Sequence, residues 1–92
     1  MNFFQRVYEM VKKIHKGEVM TYGDVGKALG TRDYRRVGQA LHANKNPDVP
    51  CHRVVFADGH LAPNYAFGGA EEQKKRLVAE GVEFVGDKVK VW

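Results

Sequence analysis

The sequence predicts a mainly α fold with small β elements, organised as a single winged helix-turn-helix-like domain. Three observations carry this expectation. Apolar residues recur at helical spacing in stretches that open on a capping residue and close at a glycine or asparagine. Two of the predicted helices are short, adjoin across a glycine-containing turn, and the second is basic, which reads as a helix-turn-helix. The remaining residues form a long glycine-containing loop and two short alternating stretches, which read as a wing and a hairpin.

The first helix is expected from Asn2 to His15, with Phe4, Val7, Tyr8, Val11 and Ile14 as its apolar stripe, Asn2 as cap and Gly17 as terminator. Glu18-Val19-Met20 is a short extended piece. Thr21 and Asp24 form the pattern of a capping box for a second helix, Tyr22 to Leu29, closed by Gly30. A third helix is expected from Asp33 to Ala43, with Tyr34, Val37 and Leu41 facing inward, Arg35, Arg36, Gln39 and His42 elsewhere on its surface, and Asn44 as a left-handed terminator. Lys45 to Pro50 is a loop and Arg53 to Phe56 a strand. Ala57 to Gly69 is a loop or wing. The last helix runs from Ala70 to Glu80, with Glu71 and Glu72 in its first turn as the helix dipole favours. Val82 to Val85 and Lys88 to Val91 close a hairpin around Gly86-Asp87.

At 92 residues the chain holds one domain, and its 43% apolar content is ordinary for a globular protein. A single cysteine excludes an internal disulfide. No apolar run approaches the ~20 residues needed to cross a bilayer, and MNFFQRVYEMVKK alternates apolar and charged residues, unlike a signal peptide. These features predict a monomer in a reducing compartment, cytoplasmic in a prokaryote or nuclear in a eukaryote, with no membrane partner. The net charge of +4 favours a polyanionic partner, although TRDYRR and EEQKKR taken singly read as solvated helix faces.

The cysteine stands in VPCHRVV, residues 49 to 55. A structural zinc site needs four ligands, usually several of them cysteines, and one cysteine with scattered histidines lacks that spacing, so no metal or cofactor is expected. A buried apolar thiol is the plain reading of Cys51 alone. Its neighbours point further. Pro50 stiffens the turn that presents the thiol. His52 is next in sequence, too close along the chain to face Cys51 easily, but within reach through a bridging water; it lowers the cost of forming the reactive thiolate and needs an acidic partner to orient it. Arg53 either ties the turn to nearby carbonyls or takes a functional role.

PCHRVV resembles the active-site motif of the O6-alkylguanine-DNA alkyltransferases, the methylated-DNA–protein-cysteine methyltransferases. GEVMTYGDVGKALG resembles the first helix of their helix-turn-helix, RRVGQALHANKNPDVPCHRVV their recognition helix and its link to the active site, and FGGAEEQKKRLVAEGVEF their glycine pair and following helix. The similarity makes residues 1–92 an alkyltransferase DNA-binding and active-site domain, the family's C-terminal one, without the N-terminal domain of many members or any zinc site in it. It implies that Cys51 takes the alkyl group from O6 of guanine once and irreversibly, with His52 as base through a water, Glu80 completing the hydrogen-bonded chain and Asn44 holding the loop before the active site. The target base lies within duplex DNA and must be flipped out. By resemblance, the recognition helix enters the minor groove, Arg35 fills the vacated stack, and Tyr22 crowds the target phosphate and hydrogen-bonds the flipped base. Arg36, Gln39 and Arg53 join them as DNA contacts. The pocket is expected to comprise Tyr22, Pro50, Cys51, Ala66, Phe67 and Gly68.

The substrate loop departs from the family's tyrosine, serine, glycine, glycine. It reads Ala66-Phe67-Gly68-Gly69, in a loop about two residues longer, and an aromatic ring replaces a hydroxyl. Phe67 thus either reshapes the pocket or stacks on the base. The rival function is that of the alkyltransferase-like proteins, which bind O6-alkylguanine without transfer and hand it to nucleotide-excision repair proteins; these typically carry tryptophan or alanine where this chain has Cys51. A generic winged-helix regulator would leave PCHRV unexplained.

Overall fold

The structure, a computed structural model, describes residues 1–62 and 65–90. Helix α1 spans Phe3–Val11 and opens on a capping box: Asn2 Oδ1 accepts from Gln5 N at 2.9 Å, and Gln5 Oε1 accepts from Asn2 N at 3.1 Å. It ends four residues before His15, because Lys13 and Ile14 form tighter bonds to Met10 O and Val11 O, and this turn carries Ile14 inward. Ile14 still completes the apolar stripe beside Val7 and Val11, buried though no longer helical.

Strand β1 (Met20–Thr21) leads directly into α2 (Tyr22–Ala28). The Thr21–Asp24 capping box forms at 2.9 and 3.0 Å, and Gly30 exits the helix at φ +77°. Asp33 caps α3 (Tyr34–Ala43), whose Val37, Ala40 and Leu41 are buried. Tyr34 departs from the expected inward face. It is 39% exposed, and its ring lies over α2 so closely that a Cβ on Gly26 would stand 2.7 Å from Tyr34 Cδ1. The helix-turn-helix therefore has two ties: an apolar contact beneath it and this ring against glycine above.

A single 3₁₀ turn, Cys51–Arg53, precedes β2 (Val54–Val55), which pairs parallel to β1 with Met20 opposite Val54 and Thr21 opposite Val55. The sequence gives no sign of this pairing, since two-residue strands carry no periodicity. It fixes the start of α2 beside the cysteine turn. Helix α4 covers Gly69–Ala79 with Glu80 as its C-cap. Strands β3 (Phe84–Val85) and β4 (Lys88–Val89) form the expected hairpin around Gly86; Val91 lies outside the described residues.

One core joins α1, α2 and α3 to Val49, Cys51, Val54 and Tyr65. A smaller one packs Val55, Leu77 and Val89 under the hairpin. Tyr8 Oη donates to Ala40 O at 2.7 Å and locks α1 to α3. Gly26→Ala is expected to destabilise the protein by about 1–3 kcal/mol through overpacking against Tyr34 and Thr31 O. Urea unfolding measures this, and in a Tyr34→Ala background the cost of the same change should shrink.

Candidate active site

The cysteine turn is built from its backbone outward. Cys51 N donates to Val49 O at 2.8 Å and Arg53 N to Pro50 O at 3.0 Å, so Pro50 acts by shaping the turn. Cys51 is 5% exposed. The hydrogen-bond partner of Sγ is Asn44 Nδ2 at 3.7 Å, not the neighbouring imidazole. Asn44 is not the left-handed terminator its sequence context suggests: φ is −68° and ψ 130°. In this extended conformation its buried amide exchanges hydrogen bonds with the Asn46 backbone, each at 3.0 Å, while the same Nδ2 reaches sulfur. Satisfying the loop and the thiol together outweighs the αL preference.

His52 and Arg53 converge on Glu80 across the turn. His52 Nε2 lies 3.0 Å from Glu80 Oε2. Arg53 donates through Nε to Oε1 at 3.0 Å and through Nη2 to Oε2 at 2.6 Å, and Nη1 reaches Ile14 O at 2.8 Å. Of the two roles its sequence context leaves open, Arg53 is placed as a structural tie: its guanidinium is turned inward, with a bond from each of its three nitrogens. Those hydrogen bonds pull the Glu80 carboxyl down to about 2. Burial lowers the His52 pKa despite Glu80. A neutral imidazole facing a carboxylate through Nε2 carries its proton there, leaving Nδ1 as the basic nitrogen. Burial also raises the Cys51 pKa, against the lowering effects of Asn44, the backbone and Arg76. The resting site is therefore thiol, neutral imidazole and carboxylate.

The thiol lines a mostly apolar groove of about 560 Å³, within the range of small-ligand sites. Tyr22 at the start of α2 forms one wall, its ring 5.1 Å from that of Phe56. Arg35 and Gln39 of α3 line the mouth, and Tyr65 and Ala66 lie opposite. Of the expected pocket residues, Tyr22, Cys51 and Ala66 line this groove; Pro50, Phe67 and Gly68 are not among its lining. The Phe67 ring packs 5.9 Å from that of Tyr65 and 5.7 Å from the Arg76 guanidinium, and Gly68 caps α4 at φ +126°. Arg36 is exposed, but its guanidinium lies 4.4 Å over the Phe3 ring, away from the groove. Among the described residues no group of three metal-ligating side chains forms, and no helix is long and apolar enough to cross a membrane.

Sequence reasoning missed Gln73. It is fully buried, accepts from Ala62 N at 2.9 Å and donates to His52 O and Val54 O at 3.1 and 3.0 Å. It joins α4 to the cysteine turn, the strand after it and the groove wall. Nothing in EEQKKR distinguishes it from its solvated neighbours. Tyr34, Phe56 and Tyr65, also missed, read in the sequence as ordinary core or loop aromatics.

The chain belongs to the 6-O-methylguanine DNA methyltransferase family, whose DNA-binding domain model matches residues 2–82. It is 40% identical over 83 residues to Alkyltransferase-like protein 1 of Schizosaccharomyces pombe, covering 88% of this chain and 77% of that protein. It is 47% identical over 83 residues to a methylated-DNA–protein-cysteine methyltransferase of Thermococcus kodakarensis, covering 88% of this chain but 45% of the longer protein. The fold superposes with a TM-score of 0.78 and 38% identity on S. pombe Atl1 in complex with damaged DNA containing O6-carboxymethylguanine, over 90% of this chain and 79% of that one. With Mycobacterium tuberculosis OGT in complex with DNA the TM-score is 0.81 at 35% identity, over 88% and 49% of the two chains. The protein is a DNA-binding member of the alkyltransferase and alkyltransferase-like family.

The ionisation pattern predicts two stages of acid destabilisation. The folded His52 pKa lies below 6.5, so stability declines once the pH falls beneath that value. Glu80 titrates near 4.5 unfolded and about 2 folded, so its stabilisation, up to about 3 kcal/mol, is complete above pH 4.5 and is lost between 4.5 and 2. Urea midpoints across this range measure both stages. In Glu80→Gln the lower stage should shrink and stability at pH 7 should fall.

Proposed function

We propose that this chain binds O6-alkylguanine flipped from duplex DNA and transfers the alkyl group to Cys51 in a single, irreversible turnover. The observation that carries the reading is the placement of Cys51 on a groove lined by α2 and α3, in the same turn as an imidazole held by Glu80. His52 Nδ1 takes the thiol proton through a bridging water, and Glu80 offsets the imidazolium charge that results. The Sγ–carbon bond forms as the carbon–O6 bond breaks, and the electron pair passes to O6 and the purine ring. The thioether has no hydrolytic route in this site, so one protein molecule repairs one base.

The DNA side follows from exposure. Arg35 and Gln39 stand on the outer face of α3 at the groove mouth, where Arg35 occupies the space left by the extruded base and Gln39 adds a backbone contact. The protein acts as a monomer on the duplex.

A second reading, lesion binding without transfer followed by recruitment of nucleotide-excision repair proteins, is favoured by one feature: burial holds Cys51 in the less nucleophilic thiol form. Intact mass after incubation with duplex DNA carrying O6-methylguanine separates the two. Transfer predicts the gain of one methyl group, abolished by Cys51→Ala. Tight lesion binding with unchanged mass would overturn transfer in favour of the sensor.

A further inference from the structure

Tyr65 has no part in the chemistry above, yet it stands on the groove wall with an unusual partner. The residue is 8% exposed. Arg76 Nη1 donates to Tyr65 Oη at 2.5 Å, and the same guanidinium lies 5.5 Å from the Tyr65 ring centroid and bonds Glu72 through Nε at 3.2 Å. The phenol oxygen is therefore held by a charged donor from α4. A hydroxyl that accepts one hydrogen bond keeps its own proton for another acceptor, and a cation bonded to its oxygen polarises that proton.

The state of the phenol suits such donation. Burial and the Cys51 charge push Tyr65 up to about 12, so the proton remains in place at neutral pH. The same thiolate charge acts on Tyr22. Tyr8 feels it as well but is not among the groove's lining, whereas Tyr22 and Tyr65 share the groove with the sulfur. A base seated with its O6 substituent against Sγ brings O6 one bond beyond the reacting carbon. In an O6-alkylguanine that oxygen carries no proton and only accepts. The loop residues Ala66 and Phe67 have no hydroxyl for it, and an apolar groove penalises an unpaired oxygen.

We propose that Tyr65, held in place by Arg76, donates the hydrogen bond that recognises O6 of the bound lesion. The assignment rests on the reading that the groove takes an O6-alkylguanine. The contact anchors the flipped base by O6, while an ordinary guanine, whose O6 also accepts, stays paired in the duplex and does not reach it. In transfer it strengthens as the carbon–O6 bond breaks and the electron pair collects on that oxygen. Tyr65 touches the substrate, and Arg76 positions it.

Tyr65→Phe retains the ring and removes only the hydroxyl. Its binding is measured in a Cys51→Ala background, so that no transfer consumes the probe, with matched duplexes carrying guanine, O6-methylguanine or S6-methylthioguanine. Tyr65→Phe should lose about tenfold in affinity for O6-methylguanine, roughly one hydrogen bond, with affinity for the guanine duplex unchanged. Sulfur accepts weakly, so the tyrosine protein should itself lose affinity on the S6 probe and the phenylalanine variant should lose little more. Unchanged O6 selectivity in Tyr65→Phe, or an equal penalty on the O6 and S6 probes, overturns the assignment. Arg76→Met should mimic Tyr65→Phe and Arg76→Lys should restore part of the selectivity; a lysine no better than methionine overturns the positioning role. A tyrosine protein with no preference for O6-methylguanine over guanine fails at the level of the function itself and takes the Tyr65 assignment with it.

Discussion

Glu80 is the joint on which the site depends. Its two oxygens receive a forked pair of bonds from Arg53 while one also meets His52 Nε2, and Arg53 extends the connection to Ile14 O in the turn that follows the first helix. Three segments distant in sequence are thereby held at one carboxylate: the turn after α1, the cysteine turn and the C-terminus of α4. The carboxyl side chain is 12% exposed and the guanidinium 16%. Removing one member of such a pair leaves an uncompensated charge, at a cost of about 3–5 kcal/mol. The same carboxylate dictates which imidazole nitrogen carries the proton. Structure and chemistry thus share one group.

The sulfur itself is held in reserve. Burial outweighs the Asn44 hydrogen bond, so the thiol keeps its proton until a base removes it. A neutral His52 with a bare Nδ1 is suited to that proton, and a carboxylate already ionised is suited to the imidazolium that follows. The groove's apolar lining sharpens both effects, since charge separation within it is poorly screened and each fixed dipole acts at closer to full strength. Gln73 keeps this arrangement in register by binding the carbonyls on either side of Arg53 and the amide of the facing wall.

What could be read from sequence was whatever rests on local rules. The Thr21–Asp24 box, the stripe Val7-Val11-Ile14 and the glycine exits are each decided within a few residues, and they were legible with boundaries off by one to four positions. The pairing of His52 with Glu80 was legible only through resemblance, because nothing local links residues 52 and 80. Long-range polar bonds account for the differences. Asn44 gave up a helix-terminating conformation for a sulfur contact, and Arg53 turned inward because a carboxylate waited at a helix end far along the chain. Gln73 looked like one more member of a solvated run, since burial of a mid-helix polar residue depends on which face the tertiary fold covers. Phe67, the most conspicuous departure in the loop, packs beside Tyr65 instead of lining the groove.

The central claim is that Glu80 holds His52 as the neutral Nε2–H tautomer with Nδ1 bare. Nitrogen-15 chemical shifts of the His52 ring at pH 7 test it without DNA or turnover. The account predicts a protonated Nε2 and an unprotonated Nδ1, a pattern that collapses toward a tautomer mixture in Glu80→Gln. A wild-type ring protonated at Nδ1 alone, or doubly protonated at pH 7, would contradict it.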